Sequence, residues 1–74
     1  MFVTIHTHWN EEVQRTERMT IEAAAEALGI DVYEIEYSLD EFGRCDAETP
    51  EGLSVTVVED GAEFPGVYME AVED

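Results

Sequence analysis

Nineteen acidic side chains stand against three arginines in a chain of 74 residues, and lysine is absent. The formal net charge is −16 at pH 7. Carboxylates are almost never fully buried without a partner, and three bases cannot partner nineteen acids. The chain can therefore fold only if nearly all its acids face water and its core comes from apolar residues alone. Those make up 45% of the sequence, an ordinary share for a globular domain and too high for a disordered one. A domain of this size buries only about 60% of the surface its unfolded chain exposes, so a single small core over residues 1–74 is the expectation.

The charge is unevenly spread. Residues 1–20 hold three acids and two arginines; residues 21–43 hold seven acids and no base; residues 44–74 hold nine acids and one arginine. Binding to nucleic acid needs basic side chains that release counterions from phosphate, and they are missing. An anionic membrane surface is excluded on the same ground. No apolar run approaches the ~20 residues of a membrane span. The start, "MFVTIHTH", lacks the basic end and apolar run of a secretory signal. These features predict a soluble cytoplasmic protein whose natural partner is a basic protein surface. Cys45 is the only cysteine, so there is neither a disulfide framework nor a paired-cysteine metal site.

The patterning predicts an α+β fold. "FVTIHTHW" alternates, with Val3, Ile5 and Trp9 on one face and Phe2, Thr4, His6 and His8 on the other, which reads as a strand. "NEE" supplies a turn, with Asn10 as the turn-former, and "VQRTERMT", with Val13 and Met19 in phase, returns to complete a hairpin over about 2–19. Thr20 reads as the N-cap of a helix over 21–28, with Ile21, Ala24, Ala25 and Leu28 at helical spacing and Gly29 as the left-handed cap. "LSVTVV" reads as a strand, Asp60-Gly61 as a hairpin turn and "VYMEAV" as the returning arm, a second hairpin over about 53–72. Pro65-Gly66 interrupts that arm. "RCDAETPEG" reads as a loop.

Residues 32–42 fit two templates equally. As a helix, Asp31 is the cap with Glu34 completing a capping box, and Val32, Ile35, Leu39 and Phe42 share one face before Gly43. As a strand, Tyr33, Ile35, Tyr37 and Leu39 face inward and the acids outward. In either form Glu34, Glu36 and Asp40 remain outside.

Each template carries a resemblance. In the helical form, residues 21–39 resemble a helix-turn-helix, with Ala25, Gly29, Ile30 and Ile35 as its small residue, turn glycine and buried aliphatics. Its second helix would present Glu34, Glu36, Asp40 and Glu41, a face that phosphate repels, so the family's DNA binding does not carry over. In the strand form, the order hairpin, helix, strand, hairpin resembles a β-grasp domain of the ubiquitin and sulfur-carrier type. Those carriers act through a terminal Gly-Gly, whereas this sequence closes on Val72-Glu73-Asp74, so the resemblance implies a scaffold without conjugation chemistry.

Candidate chemistry is sparse. His6 and His8 on one strand face are the only metal-like pair, and their ordinary reading is two polar residues on a solvated sheet face. Nineteen acids give many carboxylate pairs and single out none for acid–base work. Ser38 and Ser54 lack a nucleophile elbow. Cys45, between Arg44 and Asp46, reads as a packing residue. The sequence therefore predicts no enzyme, no cofactor and no metal. Trp9 is read as a core residue; its alternative role is an interface with Arg15 and Arg18, the one charge-balanced region.

The expectation for function is a non-catalytic inhibitor that mimics nucleic acid on a basic partner. The candidate contact residues are Glu34, Glu36, Asp40 and Glu41, with Glu22, Glu26, Glu59, Asp60 and Glu63. In composition the chain resembles the small acidic inhibitors by which phages block restriction enzymes and CRISPR complexes; that resemblance implies action in the host cytoplasm. The competing expectation is a small structural or adaptor domain adapted to high salt, its charge environmental. Glutamate outnumbers aspartate 14 to 5, which disfavours this, since salt-adapted proteins draw on aspartate too. Loss of the fold below molar salt would establish the environmental reading.

Overall fold

A computed structural model describes residues 1–10 and 12–66. Six elements follow one another: β1 (Phe2–Trp9), β2 (Glu12–Thr20), α1 (Ile21–Leu28), α2 (Val32–Phe42), β3 (Cys45–Glu48) and β4 (Ser54–Glu59). The strands form one antiparallel sheet in the order β2-β1-β4-β3, and the two helices pack on one of its faces. The α+β class is as the patterning predicts.

The first hairpin forms as expected. Asn10 turns it with a positive φ of 53°, a conformation asparagine tolerates better than most residues. A bulge at Thr7/His8 shifts the register, so Thr7 faces Arg15 while His8 faces Val13. The second hairpin differs from the sequence reading. Residues 45–48, for which the sequence predicts a loop, are a strand: Cys45 opposes Val57 and Glu48 opposes Ser54. Four residues of weak strand propensity are held there by the backbone of β4, which context allows. The turn at Asp60-Gly61 is present, closed by Ala62 N–H donating to the Glu59 carbonyl at 2.9 Å. The returning arm expected at 67–72 lies outside the described residues.

Residues 32–42 are helical, which settles the two-template stretch and removes the β-grasp order. Ile35 explains the outcome. On a helix it reaches the core fully buried, with Val32 and Leu39 half-buried beside it, and Tyr33 and Tyr37 are left outside. The bounding glycines both adopt the left-handed conformation a helix end requires: Gly29 has φ 71° and Gly43 φ 75°. Two details of the helical reading fail. Asp31 sits at the N-cap without a side-chain bond, its carbonyl alone accepting from Glu34 and Ile35 N–H. Phe42, expected on the inner face, is 69% exposed at the last residue of α2.

The core is aliphatic apart from Cys45: Val3, Ile5, Val55 and Val57 from the sheet meet Ile21, Ala24, Ala25, Leu28 and Ile35 from the helices. Ala24 is fully buried, which brings the α1 backbone close to the sheet. Thr20 begins α1 by accepting from Ala23 N–H at 3.1 Å, and the Met1 carbonyl accepts from Ile21 N–H at 2.8 Å. Thr20→Ala removes the first of these partners and is expected to cost about 1 kcal/mol, a fall in melting temperature of roughly 5 °C by calorimetry.

Candidate functional site

The helices and the sheet distribute the acids differently. α1 holds Glu22 and Glu26 exposed; α2 holds Glu34, Glu36, Asp40 and Glu41 exposed. At 100° per residue these four flank the stripe opposite Ile35, with Glu36 and Asp40 on one side and Glu34 and Glu41 on the other. Glu59, the last residue of β4, lies opposite Val3 in the sheet, which brings it beside the chain start. Glu36, Asp40 and Glu59 thereby surround one groove of about 420 Å³, completed by Met1 and Leu39. Glu63 is exposed further along the chain.

The arginines are already occupied. Arg18 forks onto Asp60 through Nε at 2.8 Å and Nη2 at 3.1 Å, with its guanidinium 3.9 Å above the centre of the Phe2 ring. Arg44 forks onto Asp46 at 3.0 and 2.9 Å. Arg15 lies 3.8 Å from Glu17. Asp60, one of the candidate contact residues, is thus ion-paired within the fold. The hydrogen bond from Arg18 holds its carboxyl below the ordinary carboxylate range, and the same bond raises the arginine.

Asp46 belongs to a network that crosses the sheet. Register aligns Thr16, His6, Thr56 and Asp46 in one row over β2, β1, β4 and β3. The Thr56 hydroxyl donates to Asp46 at 2.7 Å, so its oxygen accepts from His8 Nε2–H at 3.0 Å. His6 Nε2–H donates to the Ala62 carbonyl at 3.1 Å, and its Nδ1 meets the Thr16 hydroxyl at 3.0 Å. Phe64 packs on both imidazoles, with ring centres at 5.7 and 4.9 Å. This corrects the solvated-face reading: the segment after β4 folds back over that face, anchored where Gly61 N–H donates to Thr4 Oγ1 at 2.8 Å, and His6 is buried. Both imidazoles are hydrogen-bonded within the fold. No group of three or more metal-ligating side chains occurs among the described residues.

Burial raises the Asp46 carboxyl, but the bonds from Arg44 and Thr56 outweigh it, and the net position is below the ordinary range. A carboxylate lowered in the folded state contributes stability above its unfolded value and loses it as pH falls through the folded value. With Asp46 and Asp60 both lowered, the fold is expected to persist from neutrality into the usual carboxylate range and to unfold only below about pH 4. A pH titration followed by circular dichroism checks this; unfolding already at pH 5 would contradict it.

Cys45 is buried, and burial pushes its thiol up despite a hydrogen bond with Ser38, in keeping with a packing residue. Trp9 corrects the core reading: it is 63% exposed. With Thr7, His8, Gln14, Arg15 and Leu53 it lines a cavity of about 270 Å³ at the turn end of β1. Arg18 is not part of that group, being held by Asp60, so the sequence trio of Trp9, Arg15 and Arg18 is divided.

Sequence reasoning missed the cross-sheet network, because its row exists only once β3 pairs with β4. It also assigned Tyr33 and Tyr37 no role beyond filling a face in the strand form, yet on α2 they are 72% and 52% exposed between the carboxylates. Their four-residue spacing was the available signal. No helix among the described residues is long and apolar enough to cross a membrane. Compared with known proteins, the chain matches no family model, no curated protein and no solved structure at significance.

Proposed function

We propose that this protein is a non-catalytic inhibitor that occupies the basic nucleic-acid-binding surface of another protein, in the manner of phage anti-restriction or anti-CRISPR proteins. The observation that carries this reading is the internal pairing of all three arginines, with Glu17, Asp60 and Asp46. The carboxylates of α1 and α2 have no cation among the described residues to offset them. Glu36, Asp40 and Glu59 converge on one groove, so part of the charge is gathered where a partner can meet it.

Dimensions support the reading. The longest extent is 37 Å. Duplex DNA of that length carries about 22 phosphates, and the protein's charge is −16. Along α2, Glu36 and Asp40 are one turn apart, a rise of about 6 Å, close to twice the ~3.4 Å per-strand phosphate spacing. Residues 1–20, with three acids and two arginines, stay near neutral, which disfavours a uniform salt adaptation.

The test is functional inhibition. Added to a restriction endonuclease or an RNA-guided nuclease of the host, the protein is expected to abolish DNA binding in a gel-shift assay at low salt and to lose effect as salt rises. Inhibition that leaves DNA bound would contradict mimicry.

A further inference from the structure

We propose that the outer face of α2 takes arginine side chains of the partner, with Tyr33 and Tyr37 as stacking platforms and the flanking carboxylates as ion-pair acceptors. This deepens the reading above and rests on it. The fold itself does not call for aromatics on this face. Among the described residues, the buried ones are aliphatic, threonine, cysteine and one histidine, and stability would be served by any polar helix former at positions 33 and 37. Instead two large rings stand one helical turn apart on the stripe farthest from Ile35, 72% and 52% exposed.

The surroundings specify the occupant. Glu34, Asp40 and Glu41 are helical neighbours of Tyr37, and Glu36 of Tyr33. An apolar partner would strip water from four carboxylates without replacing it. A second copy would set like charges against one another. A single-stranded nucleic acid could stack on the rings, but its phosphates would meet the same acids. A guanidinium satisfies both elements: its flat face stacks on an aromatic ring while its edge forks onto a carboxylate. Lysine's compact ammonium does this less well. The molecule already contains this arrangement, since Arg18 lies 3.9 Å over the Phe2 ring centre while forking onto Asp60. α2 presents the same ring-and-carboxylate surface with no base of its own between residues 21 and 43.

The experiment compares fluorescence-anisotropy titrations of the full chain with labelled nona-arginine and nona-lysine peptides at low salt. Wild type is expected to favour the arginine peptide. The double variant Tyr33→Ala/Tyr37→Ala, unchanged in charge and altered only at exposed positions, is expected to bind it about five- to thirtyfold more weakly, as two exposed cation–π contacts would dictate. Tyr33→Phe/Tyr37→Phe is expected to retain the affinity, and lysine-peptide binding should change little in any variant. If the alanine variant holds the arginine peptide as tightly as wild type, the platforms are not used and the inference is overturned, while salt-sensitive binding of both peptides leaves the basic-partner reading standing. If neither peptide binds, both fall. Sedimentation showing a dimer that Tyr33→Ala/Tyr37→Ala dissolves would assign the face to a second copy and overturn the inference as well.

Discussion

Replacing Ile35 by alanine is expected to cost about 3 kcal/mol, a large fraction of the stability available to a domain of this size. Ile35 is fully exposed to the core and not at all to solvent, and it is the one buried residue of α2. The half-buried Val32 and Leu39 beside it cannot fill the space it leaves. The melting temperature should fall by roughly 15 °C or more. Val32 and Leu39 pack half-buried beside it, and Ile35 is the residue of α2 that is buried outright between helix and sheet. Tyr33→Ala, on the opposite face, is expected to move stability by no more than about 0.5 kcal/mol. A loss under 1 kcal/mol for Ile35→Ala in urea unfolding would mean that α2 is not docked as described.

Reversing charge on the same helix acts on binding and leaves the fold in place. The quadruple variant Glu34→Lys, Glu36→Lys, Asp40→Lys and Glu41→Lys is expected to weaken binding to a basic partner at least a hundredfold, about 2.7 kcal/mol. All four positions are exposed, and α1 contributes two further acids, so the change relieves repulsion within the protein. Its melting temperature should therefore match or exceed that of wild type, which separates lost binding from lost folding. Trp9→Ala is the companion measurement. If the reversals leave affinity intact and Trp9→Ala abolishes it, the interface lies at the turn end of β1 and nucleic-acid mimicry is wrong.

Much of the fold was legible because local chemistry and tertiary packing agree. Thr20 and Gly29 bracket α1, Val55 and Val57 flank Thr56 in β4, and Asp60-Gly61 turns the chain as the dipeptide suggests. Residues 32–42 were ambiguous because β-prone residue types and helix-terminating signals compete there; packing of Ile35 and the glycine caps prevail. β3 was not legible, since Cys45-Asp46-Ala47-Glu48 has no strand pattern of its own and depends on β4.

Trp9 shows a different limit. Alternation puts it in phase with Val3 and Ile5, but β1 has eight residues and α1 also eight. An eight-residue strand is about 27 Å long and an eight-residue helix about 12 Å, so the strand outruns its cover and its last residue emerges into solvent. The histidines fail in the opposite sense: nothing local reveals that Ala62 and Phe64 return across their face. For the candidate site, the outward position of the α2 acids could be read from either template. Their meeting with Glu59, and the pairing of Asp60 with Arg18, depend on strand register and could not.

The most direct test of nucleic-acid mimicry is a competition titration. A host protein captured on the immobilised chain at low salt is purified, and its affinity for the soluble chain is measured at increasing concentrations of its own duplex DNA or RNA ligand. Mimicry predicts that the apparent Kd rises in proportion to nucleic-acid concentration, that the α2 charge-reversal variant is not bound, and that raising salt from 50 to 200 mM weakens wild-type binding roughly tenfold or more. An apparent Kd that stays constant while the partner is saturated with nucleic acid would contradict it, because the two ligands would then occupy different surfaces.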